Sequence, residues 1–173
     1  MPKIGVQTKN VVDDECPEQG FRLLRQSGFS CADFSLNGYL VNKDVYRSRI
    51  NSFFDRSVGE LEEFFTPHRE GAARAGITVS QMHMPYPNYV PGGSEELNGY
   101  LRNVVAPKSV RLCAFFGCPY LVVHGFKLAR FLGSEGLEWK RTEEFLNALA
   151  PMAKDMGITL CIENLYDSAG GHI

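Results

Sequence analysis

The stretch Gly76-Ile-Thr-Val-Ser-Gln-Met-His83 holds a helix stop, a strand and a polar strand end in immediate succession. Upstream, Val58 to Ala75 carries Leu61, Phe64, Phe65 and Ala72 at helical spacing, and Gly76 closes that helix. Ile77 to His83 then reads as a strand rich in β-branched residues. The same order recurs on both sides. Pro17 to Gln26 reads as a helix with proline in its first turn and Gly28 behind it, and Cys31 to Ser35 as the strand that follows. Asn98 to Phe116 reads as a long helix that Pro107 should start or kink; it ends at Gly117 and feeds the strand Tyr120 to His124. Thr142 to Met156 is a helix with an acidic start, stopped by Gly157, and Ile158 to Ile162 is the next strand. Ile4 to Thr8 opens the series.

Strands alternating with helices in this way predict parallel βαβ units. The strand-to-helix connections are long: Leu36 to Ser57, Met84 to Glu96 and Gly125 to Arg141. The helix-to-strand connections are short. In barrel enzymes the loops that follow the strands build the active site. Two architectures fit: part of a (β/α)8 barrel, or an open doubly wound sheet. The segment after the first strand, Gln7-Thr-Lys-Asn-Val-Val, has no glycine, so the dinucleotide fingerprint is absent, as is a GxxxxGK[ST] phosphate loop. Both absences lower the standing of a nucleotide-binding open sheet.

The 173 residues, 44% of them apolar, suit one domain with a substantial core. A net charge of −2 without a Lys/Arg-rich stripe gives no reason to expect nucleic-acid or membrane binding. Five cysteines, odd in number and without a CxxC pair, read as reduced thiols. No signal-peptide pattern and no apolar run of membrane-spanning length is present, so the expected location is cytoplasmic.

Three chemistry-bearing residues fall at successive strand ends: His83, His124 and Glu163. Neighbouring parallel strands lie about 4.8 Å apart, so side chains at equal depth can converge. Two imidazoles and a carboxylate suit a divalent cation such as Zn, Mn, Co or Mg. A strand-end histidine is also a common hydrogen-bonded structural residue. Glu163 follows Leu-Cys-Ile and is expected at a buried position, where an acid must be paired or metal-bound. Asp33 could support a ligand from behind or cap its loop. Gln7, Asn37, Lys127 and Asn164 are further polar groups near strand ends, and Lys127 could meet a substrate phosphate or carboxylate. Tyr86, Tyr89, Phe126 and Trp139 could wall a small-molecule pocket or simply pack the loops. His68 is expected on a solvated helix face, and His172 sits in the terminal tail.

Gln81-Met-His83-Met-Pro-Tyr86, Val122-Val-His124-Gly125 and Cys161-Ile-Glu163-Asn164 together resemble the third, fourth and fifth strand ends of the xylose-isomerase-like TIM-barrel superfamily. That superfamily contains sugar phosphate isomerases/epimerases and endonuclease IV. The resemblance runs along the whole chain and implies a single incomplete barrel domain, residues 1–173, with about five of eight βα units. In the isomerase branch it implies a small sugar or sugar phosphate as substrate. Glu163 would be both metal ligand and acid/base, with His83, His124, Lys127 and Asn164 at the substrate. In the nuclease branch it implies His83 and His124 as additional zinc ligands. Five strands leave two open edges, which invite association with another copy. The expected function is therefore metal-dependent proton transfer next to a sugar carbonyl. A zinc-dependent nuclease acting on abasic DNA, and a non-catalytic fragment or interaction module, are the alternatives.

Overall fold

The computed structural model describes residues 4–47, 50, 53–128 and 133–163. Five strands, β1 (Gly5–Gln7), β2 (Cys31–Ser35), β3 (Thr78–His83), β4 (Tyr120–His124) and β5 (Thr159–Glu163), form one sheet in the order β1-β2-β3-β4-β5. Every neighbouring pair is parallel. The connections carry α1 (Pro17–Gln26), the short α2 (Asn42–Val45), α3 (Val58–Ala75), α4 (Glu95–Tyr100), α5 (Ala106–Phe115) and α6 (Glu135–Asp155). Successive strands lie side by side with helical crossovers, as in the first five units of a barrel.

The helix ends follow from local chemistry. Ser57 caps α3: its hydroxyl accepts from the Glu60 amide, and the Glu60 carboxylate accepts from the Ser57 amide at 2.7 Å. At the other end Gly76 takes φ +69°, a left-handed cap that residues with a Cβ adopt at a penalty. Helices α1 and α3 approach so closely that a Cβ on Gly71 would lie 2.9 Å from Glu18 Cα. The single long helix expected over Asn98–Phe116 is instead α4, a widened π turn over Leu101–Val105, and α5. A proline ring meets the carbonyl four residues back, and the widened turn contains that residue, Asn103, ahead of Pro107. Helix α6 begins at Glu135 rather than Thr142.

Strand alternation sorts the side chains onto two faces. Ala32, Phe34, Val79, Met82, Leu121 and Val123 are buried in the apolar core. Phe34 packs edge-on to Phe65, with ring centroids 5.8 Å apart, and against Phe116 at 4.6 Å. The opposite face presents Gln7, Asp33, Ser35, Gln81, His83, Val122, His124, Cys161 and Glu163, as the strand registers require. One irregularity makes this possible. Ala32 pairs with Val79, but Asp33 pairs with Gln81, so Ser80 is an extra residue on β3. A shift of one residue exchanges the faces of a strand. Without that bulge His83 would lie opposite Leu36 and point away from Asp33; with it, His83 lies opposite Ser35 and shares the face of Asp33.

Candidate active site

Each strand delivers one polar side chain to a single chain of contacts at its C-terminal end. On β1, Gln7 Nε2 donates to Asp33 Oδ2 at 3.3 Å. On β2, the same Oδ2 lies 2.7 Å from His83 Nδ1. That contact is charge pairing more than an aligned hydrogen bond, because the ring N–H does not point along it. On β3, His83 Nε2 lies 3.1 Å from Glu163 Oε2, and on β4, His124 Nδ1 lies 3.5 Å from the same oxygen. One ligand atom each from His83, His124 and Glu163 falls within 4.8 Å of the others.

The two imidazoles sit in different electrostatic settings. Burial disfavours charge on His83, but the flanking Asp33 and Glu163 carboxylates outweigh it and hold its pKa above the ordinary histidine value. For His124 burial dominates; Glu163 opposes it, His83 reinforces it, and its pKa falls below the ordinary value. His124 Nδ1 and Asp33 Oδ1 are buried without a hydrogen-bond partner among the described residues. An orphaned imidazole nitrogen beside a carboxylate and a second imidazole is a donor set that suits a divalent cation of the zinc or manganese type.

The surrounding loops fix this end of the sheet. Asn88 Nδ2 donates to the His124 carbonyl at 2.6 Å, and Asn37 Oδ1 accepts from the Tyr86 amide at 2.7 Å. The Tyr86 ring stands edge-on to His124, with centroids 5.1 Å apart. Tyr89 stacks on Phe126 at 5.0 Å, and its hydroxyl accepts from Arg141 at 2.6 Å. Trp139 is 71% exposed. Lys127 lies 3.5 Å from Glu138 Oε2 rather than in the His–His–Glu cluster. Asn164 and His172 lie outside the described residues. A cavity of about 580 Å³ between α4–α5 and α6 is lined by Tyr89, Arg102, Arg141 and Phe145, and contains none of the three cluster residues.

Two expectations need correction. The Glu163 side chain is 50% exposed rather than buried, because β5 is an outer strand of the described sheet. His68 is 1% exposed rather than solvated: it packs against Phe34, Phe64 and Phe65, with Nε2 3.0 Å from Asp14 Oδ1. Sequence reasoning also missed Asn88 and Glu138. Glu138 accepts from the Leu128 amide at 2.7 Å and from Ser134, tying down the loop after β4. Its place four residues before Thr142, which binds the Phe126 amide, was the available signal.

A scan against protein-family models finds no match, and a search of curated proteins finds none of significance. Solved structures do match. A 3-keto-D-glucoside 4-epimerase from E. coli aligns with a TM-score of 0.64 at 17% identity, over 96% of this chain and 57% of that one. A D-psicose 3-epimerase crystallised in the presence of D-fructose aligns at 0.61 and 16% identity, over 99% and 55%. A xylose isomerase domain protein from Planctomyces limnophilus aligns at 0.57 and 12% identity, over 92% and 53%. The chain spans about half the length of these structures, and at such identities the likeness is one of fold alone: parallel strands alternating with helices, as in part of a (β/α)8 barrel.

Proposed function

We propose that this chain carries part of a metal-dependent isomerase or epimerase acting on a small sugar or sugar phosphate. The observation that supports this most is the convergence of His83, His124 and Glu163 within 4.8 Å at the C-terminal ends of three adjacent strands. Active sites of parallel barrels lie at that end. The three side chains would hold one divalent cation, and three protein ligands leave coordination positions for substrate oxygens. When bound, such an ion polarises carbonyl and hydroxyl oxygens. Glu163 is the base: a half-exposed carboxylate that takes a proton from the carbon beside the sugar carbonyl and returns it. Tyr86, edge-on to His124, shields one side of the cluster.

Lys127 and Asn164 extend the substrate site in this proposal, Lys127 exchanging Glu138 for an anionic group of the substrate. No helix among the described residues is long and apolar enough to cross a membrane. We place the protein in the cytoplasm, in keeping with its free cysteines. Association of copies through the outer strands β1 and β5 is part of the same proposal.

The test is solvent exchange. The chain is incubated with ketoses and their phosphates in D2O with Mn, Co or Zn, and the sugars are read by proton NMR. Deuterium should enter the carbon next to the carbonyl with the wild-type chain and not with Glu163→Gln. No exchange on any ketose, with the cation demonstrably bound, would refute the proposal. One observation favours a second reading. Both histidines meet Glu163, the arrangement that the resemblance attaches to zinc-dependent endonucleases. A net charge of −2 opposes it, because phosphate contacts dominate DNA affinity. Absence of salt-dependent binding to an abasic duplex would dispose of it.

A further inference from the structure

We propose that the cavity between α4–α5 and α6 binds a small organic carboxylate with an apolar body. Its volume of about 580 Å³ is in the range of small-molecule sites, and none of His83, His124 and Glu163 lines it. Arg102 and Arg141 both line it, and neither forms an ion pair among the described residues. Arg22 and Arg74, by contrast, both reach Glu18. The partners of the two cavity arginines are neutral. Arg141 Nη1 donates to the Tyr89 hydroxyl at 2.6 Å, and Arg102 Nε donates to Asn103 Oδ1 at 3.2 Å. A guanidinium carries five N–H donors, so each keeps donors for a planar carboxylate.

The wall is set before a ligand arrives. Arg141 Cζ lies 4.9 Å from the Tyr89 ring centroid. Tyr89 stacks on Phe126, with centroids 5.0 Å apart and 17° between the planes, and Phe126 meets Phe145 at 5.3 Å. Thr142 Oγ1 holds the Phe126 amide at 2.9 Å. A guanidinium and an aromatic surface fixed relative to each other lower the ordering cost of binding. On the α4–α5 side, Asn98, Arg102 and Pro107 line the cavity at spacings of four and five. The widened turn Leu101–Val105 accounts for the five and keeps all three on one side. Leu149 and Met152 of α6 add apolar surface for the ligand's body. Glu95 and Glu144 line the cavity too, so its acidic and basic side chains cancel in formal charge. A polyanion gains no net attraction there. A monoanion with an apolar body uses the guanidinium fork and the aromatic wall together.

The experiment is a titration of the full chain with phenylpropionate, phenylpropionamide and inorganic phosphate, followed by 15N–1H NMR, with wild type, Arg141→Gln and Arg102→Gln. A metal chelator is present throughout, so a carboxylate resting on a cation is not counted and the outcome is independent of the cation reading. Far-UV circular dichroism confirms that each variant is folded. Phenylpropionate should give saturable shifts at Tyr89, Phe126 and α6. The amide, and phenylpropionate with Arg141→Gln, should each bind at least about tenfold more weakly, the loss that one charge-assisted hydrogen bond carries. Arg102 is exposed, so Arg102→Gln should weaken binding by roughly two- to fivefold and carries the test if Arg141→Gln does not fold. Phosphate, which has no apolar body, should bind more weakly than phenylpropionate. No saturable shift, shifts centred on the strand ends, equal binding of the amide or of phosphate, or unchanged affinity in both variants would overturn the proposal.

Discussion

Replacing Phe34 by alanine separates the two faces of β2 in a single experiment. Phe34 lies between Asp33 and Ser35 in sequence, yet its ring is 2% exposed and meets Phe65, His68 and Phe116 on the core side. Removing a buried phenylalanine ring destabilises by about 3–5 kcal/mol, from lost transfer energy and the cavity left behind. The edge-on contacts put Phe34 in the upper part of that range, since such aromatic pairs add about 0.5–1.5 kcal/mol beyond area burial. In a chain of this size that corresponds to a Tm lower by roughly 6–20 °C, at about 2–4 °C per kcal/mol. The assay is urea unfolding followed by circular dichroism, with the slope unchanged and the midpoint lowered. Zinc affinity of the folded fraction should stay close to wild type, because Asp33 and His83 occupy the other face. A loss below about 1 kcal/mol would mean that Phe34 is not packed in the core. The alternation that places Asp33 beside His83 would then be wrong as well.

Burial holds the His68 pKa below its ordinary value of 6.5, against the opposing pull of Asp14 and Asp13. The unfolded chain therefore takes up the proton first as pH falls, and stability declines from about pH 6.5 downward until the folded-state pKa is reached. His68→Phe, which suits the surrounding ring cluster, should flatten the fall in urea midpoint between about pH 7 and 5 relative to wild type; an equal fall in both proteins would contradict this. Ser57→Ala removes one half of the α3 capping box and should lower stability by about 1 kcal/mol, read from the same midpoint. Gly76→Ala forces a Cβ into φ +69° and should destabilise by about 1–2 kcal/mol, whereas an unchanged midpoint would mean that Gly76 is not left-handed.

The elements were legible because their signals are local. Gly28, Gly76, Gly117 and Gly157 all take positive φ where a helix stops before a strand. The helix Pro17–Gln26 and the strands Cys31–Ser35 and Tyr120–His124 stand at the bounds that periodicity gives. The strand-end positions of His83, His124 and Glu163 were legible for the same reason, and the structure brings one ligand atom of each within 4.8 Å of the others. What escaped depends on partners far away in sequence. The bulge at Ser80 exists only in the pairing of β3 with β2, so no pattern within β3 reveals that His83 faces Asp33. The exposure of Glu163 is set by what flanks β5, not by Leu-Cys-Ile before it. The burial of His68 could have been found: Leu61, Phe65, His68 and Ala72 follow one another at spacings of four, three and four along one stripe of α3, and all are buried. Its chemical type suggested a solvated residue, but its position on the stripe decided the outcome.

The central claim is that His83, His124 and Glu163 hold one divalent cation. The most direct test is the zinc content of the purified chain by elemental analysis after dialysis against trace metal, beside Glu163→Gln and a His83→Ala, His124→Ala double variant. The account predicts about one tightly held ion per wild-type chain, as in zinc sites with three protein ligands, with marked loss in both variants. No bound zinc in the folded wild-type chain, or content unchanged in the variants, would contradict it.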